Sequence, residues 1–212
     1  MSESFLESPL GGFLDALASG SATPGGGSVA ALAGAQAAAL VAMVCNLTIG
    51  KKAYAAFEPE ARALLAQAEV LRVQLQDFIQ ADTDAFDALM AAYKLPKATE
   101  SEQAARKAAV QAATIKATEV PLAMAAAARA VLPLCAPLAR SGNRSAVSDV
   151  GAAALAVRAA VPTALLNVDI NLGAIEDAAF AEQARARAAE LLEGLDEGVA
   201  AVVSTVRARI LG

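Results

Sequence analysis

Hydrophobic positions recur along this chain at steps of three and four, and no stretch of useful length alternates with the period of two that a half-buried strand requires. The pattern predicts helices throughout. A first helix is expected over about 5–18, interrupted or bent near Gly11 and Gly12, followed by the glycine-rich loop 20–27. Ser28 is placed to N-cap a long apolar helix that runs to about Lys52, with Lys51 and Lys52 at its C-terminal end, where the helix dipole favours cations. Pro59 marks the start of the next helix, to about Lys94, whose core stripe reads Leu64, Ala68, Leu71, Leu75, Phe78, Phe86 and Leu89. Leu95-Pro96-Lys97 breaks it, and Thr99 with Glu102 forms a capping-box pattern that opens another helix. Pro121, Pro133 and Pro137 are expected to divide that run into shorter pieces. A polar loop at 141–144 precedes a helix over about 145–161, the pattern resumes after Pro162 through Asn171, and a last helix is expected over about 175–209. No domain boundary or repeat interrupts the series. The expectation is an all-α fold, one bundle of long alanine-rich helices spanning 1–212.

Composition sharpens this picture. Alanine supplies most of the apolar content, and it is both the best helix former and the residue that lets helices pack closely. Charged residues make up only 18% of the chain, too few to cover the surface of a monomer of 212 residues, so a helical face is expected to be buried against a second copy in a homodimer. The net charge of −5 lacks the basic stripe that a phosphate backbone demands, which argues against a nucleic-acid partner. The absence of histidine removes His general bases, Ser-His triads and His-ligated metals. Cys45 and Cys135 sit in apolar helical runs and read as small buried hydrophobes in a reducing compartment. With no basic n-region at the N-terminus, a cytoplasmic location is expected. The uncharged run from Gly25 to Gly50 is long enough to span a bilayer, but it is Ala- and Gly-rich, contains Gln36, Asn46 and Thr48, and lacks an aromatic belt. A buried central helix, with no membrane partner, is the better reading.

A few polar residues stand where a purely structural helix has no use for them. Asp82 falls in register with the core stripe, whereas Asp77, Asp84 and Asp87 fall on the other face. A carboxylate at such a position is either one half of a buried ion pair or the wall of a cleft. The loop Pro24-Gly25-Gly26-Gly27-Ser28 lets backbone N–H groups approach a ligand at a helix N-terminus, or serves as a tight turn for close helix packing; it is neither a Walker loop nor a Rossmann turn. Lys51 and Tyr54 together offer a cation and a proton donor, or are ordinary residues at a helix end. Asn143 suits a turn, Ser145 a cap, and Ser148 and Asp149 a first helical turn. Asn167 and Asn171, four apart in an apolar segment, each call for a buried partner.

Read together, these stretches resemble the cyclodeaminase/cyclohydrolase family, which comprises the C-terminal domains of formiminotransferase-cyclodeaminases and stand-alone methenyltetrahydrofolate cyclohydrolases. Four segments carry the resemblance in order: Phe13-Leu-Asp-Ala-Leu-Ala-Ser19 with Thr23-Pro-Gly-Gly-Gly-Ser-Val-Ala-Ala31; Asn46-Leu-Thr-Ile-Gly-Lys-Lys52; Asp82-Thr-Asp-Ala-Phe86 with Leu95-Pro-Lys97; and Gly142-Asn-Arg-Ser-Ala-Val-Ser-Asp149 with Leu166-Asn-Val-Asp-Ile-Asn171. Ser145 departs from the pattern. The resemblance implies a homodimeric all-helical enzyme acting on one-carbon tetrahydrofolates with no cofactor beyond its folate substrate. It points to Asp82 and Lys51 as catalytic residues. Gly25, Gly26, Gly27, Ser28, Asn143, Ser148 and Asp149 are carried over as substrate-binding residues, and Tyr54 joins them from its place beside Lys51. The leading expectation is hydrolysis of 5,10-methenyltetrahydrofolate to 10-formyltetrahydrofolate. Cyclodeamination of formiminotetrahydrofolate with release of ammonia, and a non-catalytic helical dimerisation module, are the alternatives.

Overall fold

Seven helices account for nearly all of residues 9–212, the part of the chain that the computed structural model describes. They are α1 (Leu10–Leu17), α2 (Gly26–Thr48), α3 (Glu58–Tyr93), α4 (Glu100–Ser141), α5 (Val147–Leu172), α6 (Ala178–Leu192) and α7 (Leu195–Leu211), with 3-10 turns at Lys52–Tyr54 and Arg144–Ala146. No strand occurs among the described residues. The described residues are therefore all-helical in fold, as the periodicity of the sequence predicts.

α2 is the axis of the bundle. It packs against α3, α4 and α5, while α7 closes over α4 and α5 and α6 is a lighter cover. The small residues of α2 make this possible, since Ala30, Ala31, Ala37 and Ala38 are fully enclosed and Gly34 faces Leu75 of α3 and Ala128 of α4. By length and composition α2, α4 and the segment Arg144–Leu172 are each apolar enough to cross a membrane. In this fold α2 spends much of that apolar surface on its neighbours, with 61% of its most apolar window buried inside the bundle. Short connections make successive long helices antiparallel. Thr48 at the end of α2 meets Asn143 just before α5, and Gly26 at its beginning lies near Asn167 towards the end of α5. Because α3 and α4 outrun α2, their linked ends project beyond its N-terminus.

Several local expectations are corrected. Ser28 is not the N-cap of α2: the cap is Gly25, in an extended conformation, and Ser28 lies in the first turn with its hydroxyl turned towards α3. α2 ends at Thr48, so Lys51 and Lys52 lie beyond it. Pro121, Pro133 and Pro137 do not divide α4, which runs unbroken for 42 residues, nor does Pro162 divide α5. A proline removes one N–H and leaves the carbonyl four residues earlier without its helical partner, but packing on both sides sustains the helix. At Pro121 that carbonyl belongs to Ala117, and Asn171 Nδ2 of α5 donates to it at 2.8 Å. Ser145 does not cap α5; it lies in the preceding 3-10 turn, which Asn143 caps by accepting from the Ser145 N–H. The last helix is two helices, broken at Gly194, whose φ of 63° lies in the left-handed region that favours glycine. α1 passes through Gly11 and Gly12 without interruption, and the expected start of this helix at 5–8 lies outside the described residues.

Other expectations hold. Thr99 and Glu102 form the reciprocal capping box of α4. Both cysteines are free and buried, and burial pushes the thiol of Cys45 up to about 11 and that of Cys135 up to about 12. The C-terminal carbonyls of α4 are held by Arg209 of α7, which donates to Leu138 O at 3.4 Å, Ala139 O at 3.0 Å and Gly142 O at 2.9 Å.

A Cβ at Gly34 would lie 2.9 Å from Leu75 and 3.3 Å from Ala128, so Gly34→Val overpacks the layer where three helices meet. The expected cost is about 1–3 kcal/mol, a fall in Tm of roughly 2–12 °C. A Cβ at Gly11 meets nothing within 4 Å, and Gly11→Ala should leave Tm unchanged or raise it. Thermal unfolding of the two variants side by side checks the packing directly.

Candidate active site

The first turn of α2 and the middle of α3 meet through Gly27 and Asp82. A Cβ at Gly27 would fall inside the Asp82 carboxylate, so only glycine allows this approach. Oδ2 of Asp82 accepts from the Ser28 hydroxyl at 3.0 Å, and the Ser28 backbone N–H also donates to the carboxylate. Ser28 is fully buried, and its hydroxyl lies 3.4 Å from a second acceptor, Ile79 O. The first N–H groups of a helix have no partner within it and carry the positive end of its dipole. Asp82 meets that need from the neighbouring helix.

The same carboxylate lines a cavity of about 240 Å³ with Phe86 and Leu89 of α3, Ala117 of α4, and Asn167 and Asn171 of α5. No Lys or Arg pairs with Asp82 among the described residues, which removes the buried-ion-pair reading of its place in the stripe. Asp77, Asp84 and Asp87 are exposed, as their register predicts. Desolvation raises the Asp82 pKa above the ordinary carboxylate value, and the two hydrogen bonds from Ser28 oppose the rise without cancelling it. The result is a carboxylate of increased basicity, fixed in orientation and facing a cavity.

The remaining candidates gather elsewhere. Tyr54 Oη donates to Asn143 Oδ1 at 3.4 Å and accepts from the Arg144 N–H at 3.0 Å. Asn143 is 4% exposed and bonded at both ends of its amide: Nδ2 donates to Leu47 O at 2.8 Å, while Oδ1 accepts from Ser145 N at 3.1 Å. It therefore holds the 142–146 loop onto the end of α2. Ser148 and Asp149 occupy the first turn of α5 close by, and Lys51 is exposed just past the end of α2.

The structure thus brings Gly27 and Ser28 against Asp82, with Gly26 facing Asn167 and Gly25 as the N-cap of the same helix, but it does not bring Lys51, Tyr54, Asn143, Ser148 or Asp149 there. The two clusters lie at opposite ends of α2, whose 23 residues at 1.5 Å each span about 35 Å. Asn167 and Asn171 were legible in the sequence only as amides in need of partners; that they share a wall with Asp82 follows from the antiparallel course of α5. The partners they call for are Thr163 O at 3.0 Å and Ala117 O at 2.8 Å. Phe86, read as core, is half-buried in that wall. No group of three or more His, Cys, Asp or Glu that could hold a metal ion occurs among the described residues.

The profile of a family described as formiminotransferase-cyclodeaminase matches residues 9–190. A methenyltetrahydrofolate cyclohydrolase from Methylorubrum extorquens is 49% identical to this chain over 171 residues, covering 81% of this chain and 82% of that protein. A formimidoyltransferase-cyclodeaminase from Rattus norvegicus is 36% identical over 98% of this chain, which spans 38% of that longer protein. The crystal structure of a formiminotetrahydrofolate cyclodeaminase from Thermotoga maritima superposes with a TM-score of 0.78 at 32% identity, covering 97% of each chain.

Two outcomes follow from the Gly27–Asp82 contact. Gly27→Ala should displace the carboxylate and lower kcat by about 10²-fold or more, whereas Gly25→Ala, whose Cβ would sit 3.6 Å from Ala22 O, should be far milder. The second concerns pH. Because the folded pKa of Asp82 lies above the ordinary carboxylate value of 3.8, the native state holds the proton more tightly than the unfolded chain. Its contribution to stability is then full below 3.8 and is lost as pH rises through the raised value. Asp82→Asn should therefore match or exceed the wild-type Tm at pH 7, and lose that advantage in acid.

Proposed function

The chain belongs to the formiminotransferase-cyclodeaminase family, and on that footing we propose that it is a methenyltetrahydrofolate cyclohydrolase, an enzyme of one-carbon metabolism that converts 5,10-methenyltetrahydrofolate and water to 10-formyltetrahydrofolate. The observation that carries this reading is Asp82, a desolvated carboxylate without a cationic partner at the edge of a small cavity. The methenyl bridge is an amidinium cation, which is the charge such a carboxylate lacks. The 49% identity to a cyclohydrolase over most of both chains supports the choice of reaction.

The chemistry is acid–base and electrostatic. Water adds to the bridge carbon as Asp82 takes one of its protons; Asp82 returns that proton to N5 as the C–N5 bond breaks, the hydroxyl of the tetrahedral carbon gives its proton to solvent as the carbonyl forms, and the formyl group stays on N10. Ser28 keeps Asp82 in one orientation through both steps, and the apolar side chains around it strengthen its interaction with the developing charge. The reaction is a hydrolysis with no transfer of electrons to or from a second group, so as written it uses no cofactor.

Formiminotetrahydrofolate cyclodeamination passes through a similar tetrahedral carbon and is the second reading, favoured by the likeness to the Thermotoga maritima structure across nearly all of both chains. Incubation of the purified protein with each substrate separates them. Loss of the methenyl absorbance is expected, and ammonia release as the only efficient reaction would reverse the order.

The distance along α2 bears on quaternary structure. One folate cannot touch both ends of a 35 Å helix while its one-carbon bridge lies at Asp82. We read the outer face of α2 as the contact between two copies, because it carries no charge along Val29, Gln36, Met43 and Leu47. A two-fold axis across this face would run the two α2 helices antiparallel and bring Lys51 of the partner subunit to the end that holds Asp82, to meet the anionic glutamate tail of the folate whose bridge lies at that carboxylate. Complementation tests this. Asp82→Asn alone should lower kcat by about 10²–10³-fold, and Lys51→Ala alone should lower turnover or folate affinity with little change in Tm. Mixed and re-annealed, the two variants regain up to about half of one dimer's activity if sites form between subunits, since one site in each mixed dimer is then intact. Absence of any recovery in a confirmed mixed dimer would confine the site to one chain.

A further inference from the structure

The cavity beside Asp82 carries two polar side chains that the carboxylate chemistry does not use. Asn167 and Asn171 stand one turn apart on α5, both half-buried and both on the cavity wall. Each amide is anchored by its nitrogen, Asn167 Nδ2 on Thr163 O at 3.0 Å and Asn171 Nδ2 on Ala117 O at 2.8 Å. A backbone carbonyl only accepts, so these partners fix which end of each amide is nitrogen. The anchor for Asn171 exists because Pro121 has no N–H to offer Ala117 O, and the amide replaces the missing helical donor.

Anchoring the nitrogens commits the oxygens. No described residue donates to Oδ1 of Asn167 or Asn171, yet neither is a buried unsatisfied atom, so both oxygens remain open to the cavity or its mouth. With the Asp82 carboxylate they make three acceptor groups around one space, and no cationic side chain lines it. The rest of the wall, Ala85, Phe86, Leu89 and Ile170, is apolar. At about 240 Å³ the cavity suits one ring system and not a whole folate.

We infer that Asn167 and Asn171 are specificity-determining residues, whose Oδ1 atoms accept hydrogen bonds from the donor edge of the substrate's ring, the 2-amino group and ring N–H of a reduced pterin. This rests on the folate reading above and extends it. It also places the pterin away from Asn143 and Asp149, two of the substrate-binding residues that the resemblance implies, at two amides beside Asp82. In each amide the nitrogen fixes the side chain and the oxygen selects the ligand. A ring without those donors would bury acceptors unpaired, the form of discrimination that hydrogen-bonding sites achieve best.

The test pairs two ligands with three proteins. The ligands are 5,10-methenyltetrahydrofolate and the analogue carrying a methyl group in place of the 2-amino group; the proteins are wild type, Asn167→Leu and Asn171→Leu. Wild type should prefer the amino compound by about 10–100-fold, chiefly in KM. In at least one variant the preference should shrink to within about threefold, through loss of the amino compound's advantage. Asn171→Leu also strands Ala117 O, so it is repeated in a Pro121→Ala background, where residue 121 supplies the helical N–H; the loss of preference should persist there while Tm recovers. An unchanged preference in both variants overturns the inference and leaves the amides as helix-packing groups. Calorimetric binding of 5-formyltetrahydrofolate and its 2-methyl counterpart keeps the two readings apart. A wild-type protein that binds and discriminates this pair without hydrolysing methenyltetrahydrofolate defeats the proposed reaction but supports the amide assignment, provided the variants lose that discrimination. Failure to bind either compound, with no hydrolysis of methenyltetrahydrofolate, defeats both.

Discussion

The contact on which the rest of this structure depends is that of the Asp82 carboxylate with the first turn of α2, made possible by the missing side chain of Gly27. It joins α3 to the end of the central helix and gives the unsatisfied N–H of Ser28 an acceptor. It also withdraws a charge from water far enough to raise its proton affinity. A carboxylate so placed contributes less to stability ionised than protonated, so the fold carries a local cost at neutral pH. Such costs persist where the surrounding packing over-determines the geometry. Here that packing is the alanine-lined seam between α2 and α3, with Ser28 completely enclosed.

The length of the helices then decides what that carboxylate can face. α3 and α4 continue beyond the start of α2, and α5 returns alongside it, so the end of α2 leaves a space walled on three sides. The other end of α2 is sealed by Asn143, whose amide is spent on backbone and tyrosine partners, and by Arg209, which gathers the last carbonyls of α4. One end of the central helix is therefore open and acidic, while the other is tied down and bears exposed lysines. The helix between them, Gly26–Thr48, carries no charge.

Much of this was legible in the sequence. Helical periodicity is a property of the chain itself, and α3 and the capping box of α4 emerge where the apolar steps and Thr99 place them. Asp82 was visible because an acid stood in an apolar register. What misled were signals that tertiary packing overrides. Prolines at 121, 133 and 137 break isolated helices, but α4 is sandwiched between neighbours that hold its course and, at Ala117, replace a lost donor. Ser28 has the chemistry of a cap, but its hydroxyl donates to the Asp82 carboxylate, a charge-assisted bond, and does not accept from an N–H of the first turn. The grouping of site residues was least legible of all. Segments similar to a family's motifs carry no distances, and only the fold reveals that Lys51 and Asp82 of one chain are a helix length apart.

The two thiols give the bundle a built-in gauge of its own motions. Cys45 lies on α2 and Cys135 on α4, both with no exposed surface and both held well above the ordinary thiol range. A thiol-directed reagent requires the thiolate and an unobstructed path, and neither exists until these helices separate. Alkylation rates in dilute denaturant therefore measure the opening of the central layer and not the fraying of α1, α6 or α7. With no third cysteine in the chain, two labelling phases would mean that α2 and α4 come free at different moments, and a single phase that they leave the core together.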